Sequence, residues 1–216
     1  MGLLDTLLGR TKPIAANLDA LFALPSAAVT LQTAGGLVST GHAGLSWKPP
    51  AGQTAEDLEH EIGQLLAIDD DSGAAGPAAA DPVTSAAVAP VAPPIGAFTH
   101  TEDSFGFHWL LLDDPEISDL VTRVHMANTT LTEAGWGPQL LCSMFGFGPA
   151  PDAAANTKKF FLVYLYKRGT FYPFAPTGKE HRDNELELRV QALLGKDLPV
   201  EPDLSRWFPL WDSPVR

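Results

Sequence analysis

The most concentrated run of hydrophobic residues in the chain is FFLVYLY, from Phe160 to Tyr166. Because consecutive positions are apolar, this run predicts a β-strand that is buried on both faces of a sheet, in the middle of the core. Lys167-Arg168-Gly169 then predicts a turn. Thr170 to Phe174 predicts a further extended segment, in which Pro173 limits the pairing.

Apolar residues at helical spacing predict two long helices in the second half of the chain. One begins at Asp114-Pro115, carries an apolar stripe from Ile117 to Leu131 and ends at Gly135. The other is capped by Asp183 and ends at Gly195. Each stripe requires a sheet or another helix to pack against.

The first half of the chain predicts shorter elements. Asn17 is a suitable cap for a helix from Leu18 to Leu24, which we expect Pro25 to end. The alternation from Ala27 to Leu31 predicts a strand, and a second strand is expected at Leu45 to Trp47. The glycines between them indicate a hairpin.

Two further helices are predicted in the first half of the chain, one at its start and one after Trp47. Thr54 is the predicted cap of a helix whose apolar positions run from Leu58 to Leu66. Leucines lie on one face of a short helix from Met1 to Arg10. That face is able to dock on the domain itself, on a partner or on a lipid surface.

Strands are also predicted from Ser104 to Leu112 and from Gln139 to Phe147. Strands in this chain follow one another through short turns more often than through helical crossovers. The pattern therefore favours an α+β fold with a mainly antiparallel sheet flanked by helices.

A segment rich in alanine and proline, and without lysine or arginine, divides the chain at about residues 71–97. It has too few large apolar side chains to offset the entropy lost on ordering, so we expect a disordered linker. Residues 1–70 and 98–216 are then two parts of one domain that share a sheet. Two independent domains are the alternative.

Composition restricts the location and the partners of the protein. No run approaches the ~20 apolar residues of a transmembrane helix, and a signal peptide is not recognisable, so we expect a cytoplasmic protein. The single cysteine, Cys142, fits a reducing compartment. The net charge of −12 disfavours binding to nucleic acid.

The sequence contains no recognisable catalytic signature. Cys142 lies between apolar residues, which predicts a buried structural thiol. The six histidines have no metal-binding spacing, and there is no glycine-rich phosphate loop. We therefore expect a non-enzymatic protein without a cofactor or a metal. The alternative is a hydrolase or ligand-binding enzyme whose site is assembled by the fold, in a polar pocket that contains Cys142 or two histidines.

The chain carries six lysines or arginines and one acidic residue from Lys158 to Arg182. These basic groups are either solvated turn charges or the rim of a binding site for an acidic partner or an anionic headgroup, with tyrosines giving contact area. The aromatic C-terminal tail is expected to wrap over the sheet or to cover a partner. The candidate binding residues are Tyr166, Lys167, Arg168, Tyr172, Arg182, Trp207 and Trp211.

Four stretches of the chain resemble an actinobacterial family, the PspA-associated proteins called PspAB. They are NLDALFALPSAAVTLQ from Asn17, GPQLLCS from Gly137, VYLYKRGTFYPFAP from Val163 and DNELELRVQALLGKDLPVEPDLSRWFPLW from Asp183. The resemblance implies a non-enzymatic adaptor in the phage-shock envelope-stress response. Its implied partner is PspA or another protein of that response. Independently of the resemblance, the leucine face of the N-terminal helix suggests recruitment to the inner face of the membrane. The order of elements is also similar to YbjN-like and secretion-chaperone-like folds.

Overall fold

The computed structural model describes residues 18–48, 98–151 and 158–216 of the chain. Six strands of these ranges form one sheet: β1 (Leu37–Trp47), β2 (Thr99–Glu102), β3 (His108–Asp113), β4 (Leu140–Pro149), β5 (Phe160–Leu165) and β6 (Thr170–Phe174). Their spatial order is β2-β3-β1-β4-β5-β6, and every neighbouring pair is antiparallel. A small separate hairpin follows, made of β7 (Pro176–Gly178) and β8 (His181–Arg182). The predicted α+β class with a mainly antiparallel sheet is confirmed.

The described α-helices cover one face of the sheet. They are α1 (Leu24–Gly35), which continues from a 3-10 helix at Leu18–Ala23, α2 (Ile117–Leu131) and α3 (Asn184–Leu194). Their apolar stripes meet side chains of β1, β3, β4 and β5 in the larger of two hydrophobic clusters. The stripe predicted from Ile117 to Leu131 and the cap at Asp183 are confirmed, and Asp183 accepts a hydrogen bond from the Leu186 amide at 3.0 Å.

The C-terminal segment, residues 198–216, covers the opposite face. Its one regular element is a 3-10 turn at Leu204–Arg206. Trp207 and Val215 are buried there in the second hydrophobic cluster. The sheet side chains buried in that cluster are Trp109, Cys142, Met144, Val163, Tyr172 and Phe174.

The prediction that the Phe160 run is buried on both faces is confirmed. Phe160 and Leu162 of β5 point into the helical cluster, and Val163 points into the cluster under the C-terminal segment. However, β5 lies next to the edge strand β6, and the central pair of the sheet is β1 and β4. β1 belongs to the part of the chain before residue 49, whereas its two neighbours, β3 and β4, belong to the part after residue 97. Both parts therefore contribute strands to the same sheet.

The strand predicted from Ala27 to Leu31 is wrong, because these residues belong to α1. The prediction that Pro25 ends the helix from Leu18 is also wrong. Pro25 lies in the first turn of α1, where a missing backbone N–H removes no helical hydrogen bond. The buried positions are Leu24, Ala27, Ala28 and Leu31, which follow the helical spacing i, i+3, i+4 and i+7.

The hairpin predicted before Leu45 is also wrong, because β1 is one long strand with a bulge. Gly41 at the bulge has φ of 77° and accepts a hydrogen bond from the Asp114 amide at 2.8 Å. A Cβ atom at this position would lie 2.9 Å from the Asp114 carbonyl oxygen. The close approach and the positive φ together explain the glycine.

The strand predicted from Ser104 begins later, at His108. Residues 104–107 instead form a turn in which Asp103 accepts hydrogen bonds from the amides of Phe105 and Phe107. Phe105 is therefore exposed and does not share the buried face of Trp109. The helices predicted at Met1 to Arg10 and after Thr54, and the linker at 71–97, lie outside the described residues.

Candidate interaction surface

The hairpin of β5 and β6 divides the basic segment between two ends of the sheet. Lys158 and Lys159 precede β5, and Lys179 and Arg182 follow β6, so these four residues lie at one end. The turn between the strands lies at the other end, about 17 Å away along five residues of strand. The basic groups of this segment therefore do not lie together, because an antiparallel hairpin brings its two outer ends together and leaves its turn at the far end.

The turn itself is formed as the sequence predicts. The Gly169 amide donates to the Leu165 carbonyl at 2.8 Å, and Gly169 has φ of 69°. Lys167 is exposed at the tip of the turn. The Arg168 side chain is 40% exposed and bends back to Glu201, with 2.5 Å between Nε and Oε2.

Glu201 is a buried carboxylate around which two arginines gather. It accepts hydrogen bonds from Arg168, from Thr170 Oγ1 at 2.9 Å and from the Asp203 amide at 3.2 Å. Arg206 Nη1 lies 3.7 Å from its other oxygen. Burial alone would raise the pKa of Glu201, but these hydrogen bonds outweigh it and hold the pKa below its usual value. Glu201 therefore stays ionised and holds the Arg168 guanidinium by hydrogen bonds, while Arg206 lies between Glu201 and Asp203, with 3.3 Å from its Nε to Asp203 Oδ2.

Trp207 anchors the C-terminal segment to the sheet. Its indole Nε1 donates to the Glu201 carbonyl at 3.0 Å, and its ring stacks on Tyr172 with 6.2 Å between centroids. Its own carbonyl accepts from Arg182 Nη1 at 2.8 Å. The Tyr172 hydroxyl donates to the Phe208 carbonyl, also at 2.8 Å. Each of these bonds joins the segment to β6, to β8 or to itself.

Arg182 is an internal link between elements. Its Nε lies 2.8 Å and 2.9 Å from the two carboxylate oxygens of Glu187 on α3. Glu187 is buried and also accepts from the Ala175 amide at 2.8 Å. The guanidinium carbon lies 5.4 Å from the centre of the Phe174 ring. Arg182 thus connects the β7-β8 hairpin, α3 and the C-terminal segment, and it is not part of an exposed rim.

Two of the predicted tyrosines are interior residues. The Tyr166 hydroxyl is hydrogen-bonded to Ser143 Oγ, and burial raises the pKa of both Tyr166 and Tyr172. Neither tyrosine provides the exposed contact area expected from the sequence, because both rings fill the core. Trp211 is half-buried, with its ring centroid 5.2 Å from that of Phe174. The predicted binding residues that reach solvent are Lys167, Arg168 and part of Trp211.

Sequence reasoning missed the exposed side chains of the C-terminal segment. Leu204 is 55% exposed and Phe208 is 57% exposed. Arg206 lies between them in sequence, with 42% of its side chain exposed. The sequence does contain a signal for this exposure in the order Leu204, Trp207, Phe208. If the tryptophan side chain points into the core, the apolar side chains near it in sequence point to solvent. Lys167, Arg168, Leu204, Arg206 and Phe208 are called here the turn-and-tail surface.

The groups considered for catalysis lie elsewhere. Cys142 is buried, and burial raises its pKa to about 12, so the thiolate is disfavoured at neutral pH. His42 contacts Asp113 at 2.6 Å, and His100 contacts His108 at 2.9 Å. Within residues 18–48, 98–151 and 158–216, no three His, Cys, Asp or Glu side chains are grouped to hold a metal ion.

The fold and this surface together define an α+β protein with a six-stranded antiparallel sheet, helices on one face and an anchored C-terminal segment on the other. A family model described as PspA associated protein B matches residues 1–215, and the chain belongs to this family. The resemblance seen in the sequence is therefore confirmed. No curated protein and no solved structure gives a significant match. Among the described residues, no helix has the length and apolar character needed to cross a membrane.

Proposed function

We propose that the protein is a non-enzymatic adaptor that binds PspA in the envelope-stress response. The observation that carries this proposal is the match of a PspA-associated family over essentially the whole chain. The adaptor acts in the cytoplasm, a reducing compartment that suits its single cysteine, and it reaches the inner face of the membrane through its partner.

The turn-and-tail surface is the part of the molecule best suited to meet an acidic partner. It displays Lys167, Arg168 and Arg206, while Glu201 and Asp203 supply two negative charges in the same place. The local charge is therefore positive on a chain whose net charge is −12. Such an arrangement orients an approaching acidic protein and raises the association rate more than the final affinity.

The test is the association rate of full-length protein with purified PspA at low and at high salt. We expect Lys167→Glu to slow association several-fold at low salt and much less at high salt, because screening removes the charge effect. Lys167 is suitable because it is exposed, whereas reversal of Arg168 would also leave Glu201 beside a like charge. Lys179→Glu is the matched control, since it changes an exposed lysine in the turn between β7 and β8, which follows the far end of β6.

Two results would contradict the proposal in different ways. Equal association rates for wild type, Lys167→Glu and Lys179→Glu would remove the turn from the contact surface and leave the adaptor role standing. Absence of binding between the wild-type chain and PspA at micromolar concentration would overturn the adaptor role itself.

A further inference from the structure

Leu204 and Phe208 are large apolar side chains that remain more than half exposed although they belong to a firmly attached segment. Their exposed fractions are 55% and 57%. Pro202 and Pro209, beside them in sequence, are exposed as well. Exposed apolar side chains grouped in this way are typical of protein contact sites.

The backbone that carries these side chains is held by hydrogen bonds on the side that faces the sheet. Trp207 is buried between them, with its indole bonded to the Glu201 carbonyl and its own carbonyl bonded to Arg182. The Phe208 carbonyl accepts a hydrogen bond from the Tyr172 hydroxyl. A surface that is fixed before binding loses little conformational entropy when a partner binds. Little of the free energy gained from its apolar contacts is therefore offset by ordering.

The spacing of the two side chains suits one face of a helix. Four residues of chain span at most about 14 Å, and the turn at Leu204–Arg206 shortens this distance, since the Trp207 amide donates to the Leu204 carbonyl at 3.1 Å. Apolar positions one or two turns apart on an α-helix are separated by about 5 to 11 Å along its axis. An amphipathic helix can therefore contact both side chains at once.

Positive charge lies beside this apolar pair. Arg168 and Arg206 are each about two-fifths exposed. The buried carboxylate of Glu201 pairs with Arg168, and Arg206 lies 3.3 Å from Asp203 and 3.7 Å from Glu201. Their remaining N–H groups are available to carboxylates of a partner, which arginine binds with a planar fork. Acidic residues next to the apolar stripe of a partner helix would complement this arrangement.

Addition of a partner strand at this place is obstructed. The outer edge of β6 is already used, because the Phe171 amide donates to Pro199 and its carbonyl accepts from Glu201. Pro173 of β6 has no N–H to offer. A helix needs no backbone hydrogen bonds from its partner and so fits the surface better.

We propose that Leu204 and Phe208 are the apolar anchors, and Arg168 and Arg206 the polar flank, of a docking site for an acidic amphipathic helix of PspA. The inference rests on the proposed adaptor function and assigns the partner chemistry to the turn-and-tail surface. The exposed leucine of α3, Leu188, lies in the helical layer on the opposite face of the sheet and serves as the matched comparison, with 48% exposure.

The experiment places a photo-crosslinking amino acid at position 208 of the full-length chain, and separately at position 188, and irradiates each with purified PspA. We expect position 208 to crosslink to a helical PspA segment whose apolar stripe is flanked by Asp or Glu, and position 188 to give little product. In parallel, Leu204→Ala and Phe208→Ala should each raise the Kd for PspA about tenfold, whereas Leu188→Ala should leave it within twofold.

Each other outcome overturns the inference. Crosslinks from position 208 to residues 1–17 or 49–97 of the same chain would show that the chain covers its own surface, and crosslinks to a second copy would indicate self-association. Unchanged PspA affinity in both alanine variants, with wild-type binding intact, would remove the docking site but keep the adaptor function. Failure of the wild type to bind PspA would remove both.

Discussion

The two faces of the sheet are covered by different kinds of structure. On one face, α1, α2 and α3 bury many apolar side chains in a large cluster. On the other face, the C-terminal segment at 198–216 has no α-helix, and the hydrophobic residues that it buries there are Trp207 and Val215. That segment is tied to the sheet instead by Glu201, Arg182 and Tyr172.

This difference indicates how each layer is stabilised. A helix satisfies its own backbone and spreads its packing energy over a stripe, so the loss of one contact weakens it gradually. An irregular segment has few internal hydrogen bonds and depends on a small number of buried polar partners, each costly to leave unpaired. Single changes at those partners should therefore act strongly and locally on the C-terminal layer.

The largest effect is expected from the residue that joins both layers. Glu187→Ala should lower the free energy of unfolding by about 4 kcal/mol, because it leaves the mostly buried Arg182 without its carboxylate and the Ala175 amide without its acceptor. Urea denaturation measures this change. Glu185→Ala, an exposed acid in the first turn of the same helix, is the control and should change stability by under about 1 kcal/mol. Similar losses for both variants would contradict the importance of the buried pair.

Trp207→Ala should cost about 3 kcal/mol, since it removes a buried indole and its hydrogen bond. Cys142 lies in the cluster under the C-terminal segment and reports whether that segment detaches on its own. We expect a thiol reagent to label Cys142 faster in Trp207→Ala than in Leu194→Ala, which weakens the helical face instead. Equal labelling at matched stability would show that both layers open together.

Glu201→Gln should destabilise the protein by about 2 kcal/mol at neutral pH, because its hydrogen bonds come from charged and polar donors. The folded pKa of Glu201 lies below its ordinary value of about 4.5. Its contribution is therefore complete above that value and is lost as pH falls through the folded pKa. Thermal melts between neutral and acid pH should show a steeper loss below about pH 4.5 in wild type than in Glu201→Gln. Parallel curves would contradict this account.

The smallest effect is expected at an exposed ion pair. Lys158 lies 2.8 Å from Asp183, but its side chain is mostly in solvent, so Lys158→Ala should change stability by under about 1 kcal/mol. Asp183→Ala should cost about 1 kcal/mol, because it also removes the cap of α3. Chemical denaturation of both variants tests the order. A larger loss at Lys158 would mean that the charge pair, and not the cap, stabilises this end of α3.

The strength of each local signal explains which elements could be predicted. The Phe160 run, the stripe of α2 and the cap at Asp183 are unambiguous, because large side chains or a capping carboxylate mark them. The sequence predicts a strand where α1 lies, because the buried positions of α1 include Ala27 and Ala28, whose small side chains add little to a hydrophobic pattern. Gly41 predicts a turn although it lies at a bulge, because glycine with a positive φ is favoured in turns and in bulges alike.

The candidate surface could be predicted only in part. Lys167 and the turn follow from the sequence, but the split of the basic segment depends on the antiparallel pairing of β5 with β6. Arg182 and Glu187 are only five residues apart, so the sequence contains a local signal for their pairing. The link from Arg168 to Glu201 spans 33 residues and has no local signal.

By itself, the sequence determined the fold class, the two-faced burial of β5, the turn at Lys167 and the family, since these depend on residue type and near-neighbour spacing. Only the tertiary structure decided that Tyr166 and Tyr172 lie inside, that Glu201 lies between Arg168 and Arg206 and that Leu204 and Phe208 remain outside. The physical reason is that exposure and charge pairing depend on which distant segment packs on a given face. The C-terminal segment packs on its face of the sheet through the inward side chain of Trp207. Two ion pairs with buried carboxylates, Arg168 with Glu201 and Arg182 with Glu187, hold the surrounding elements together.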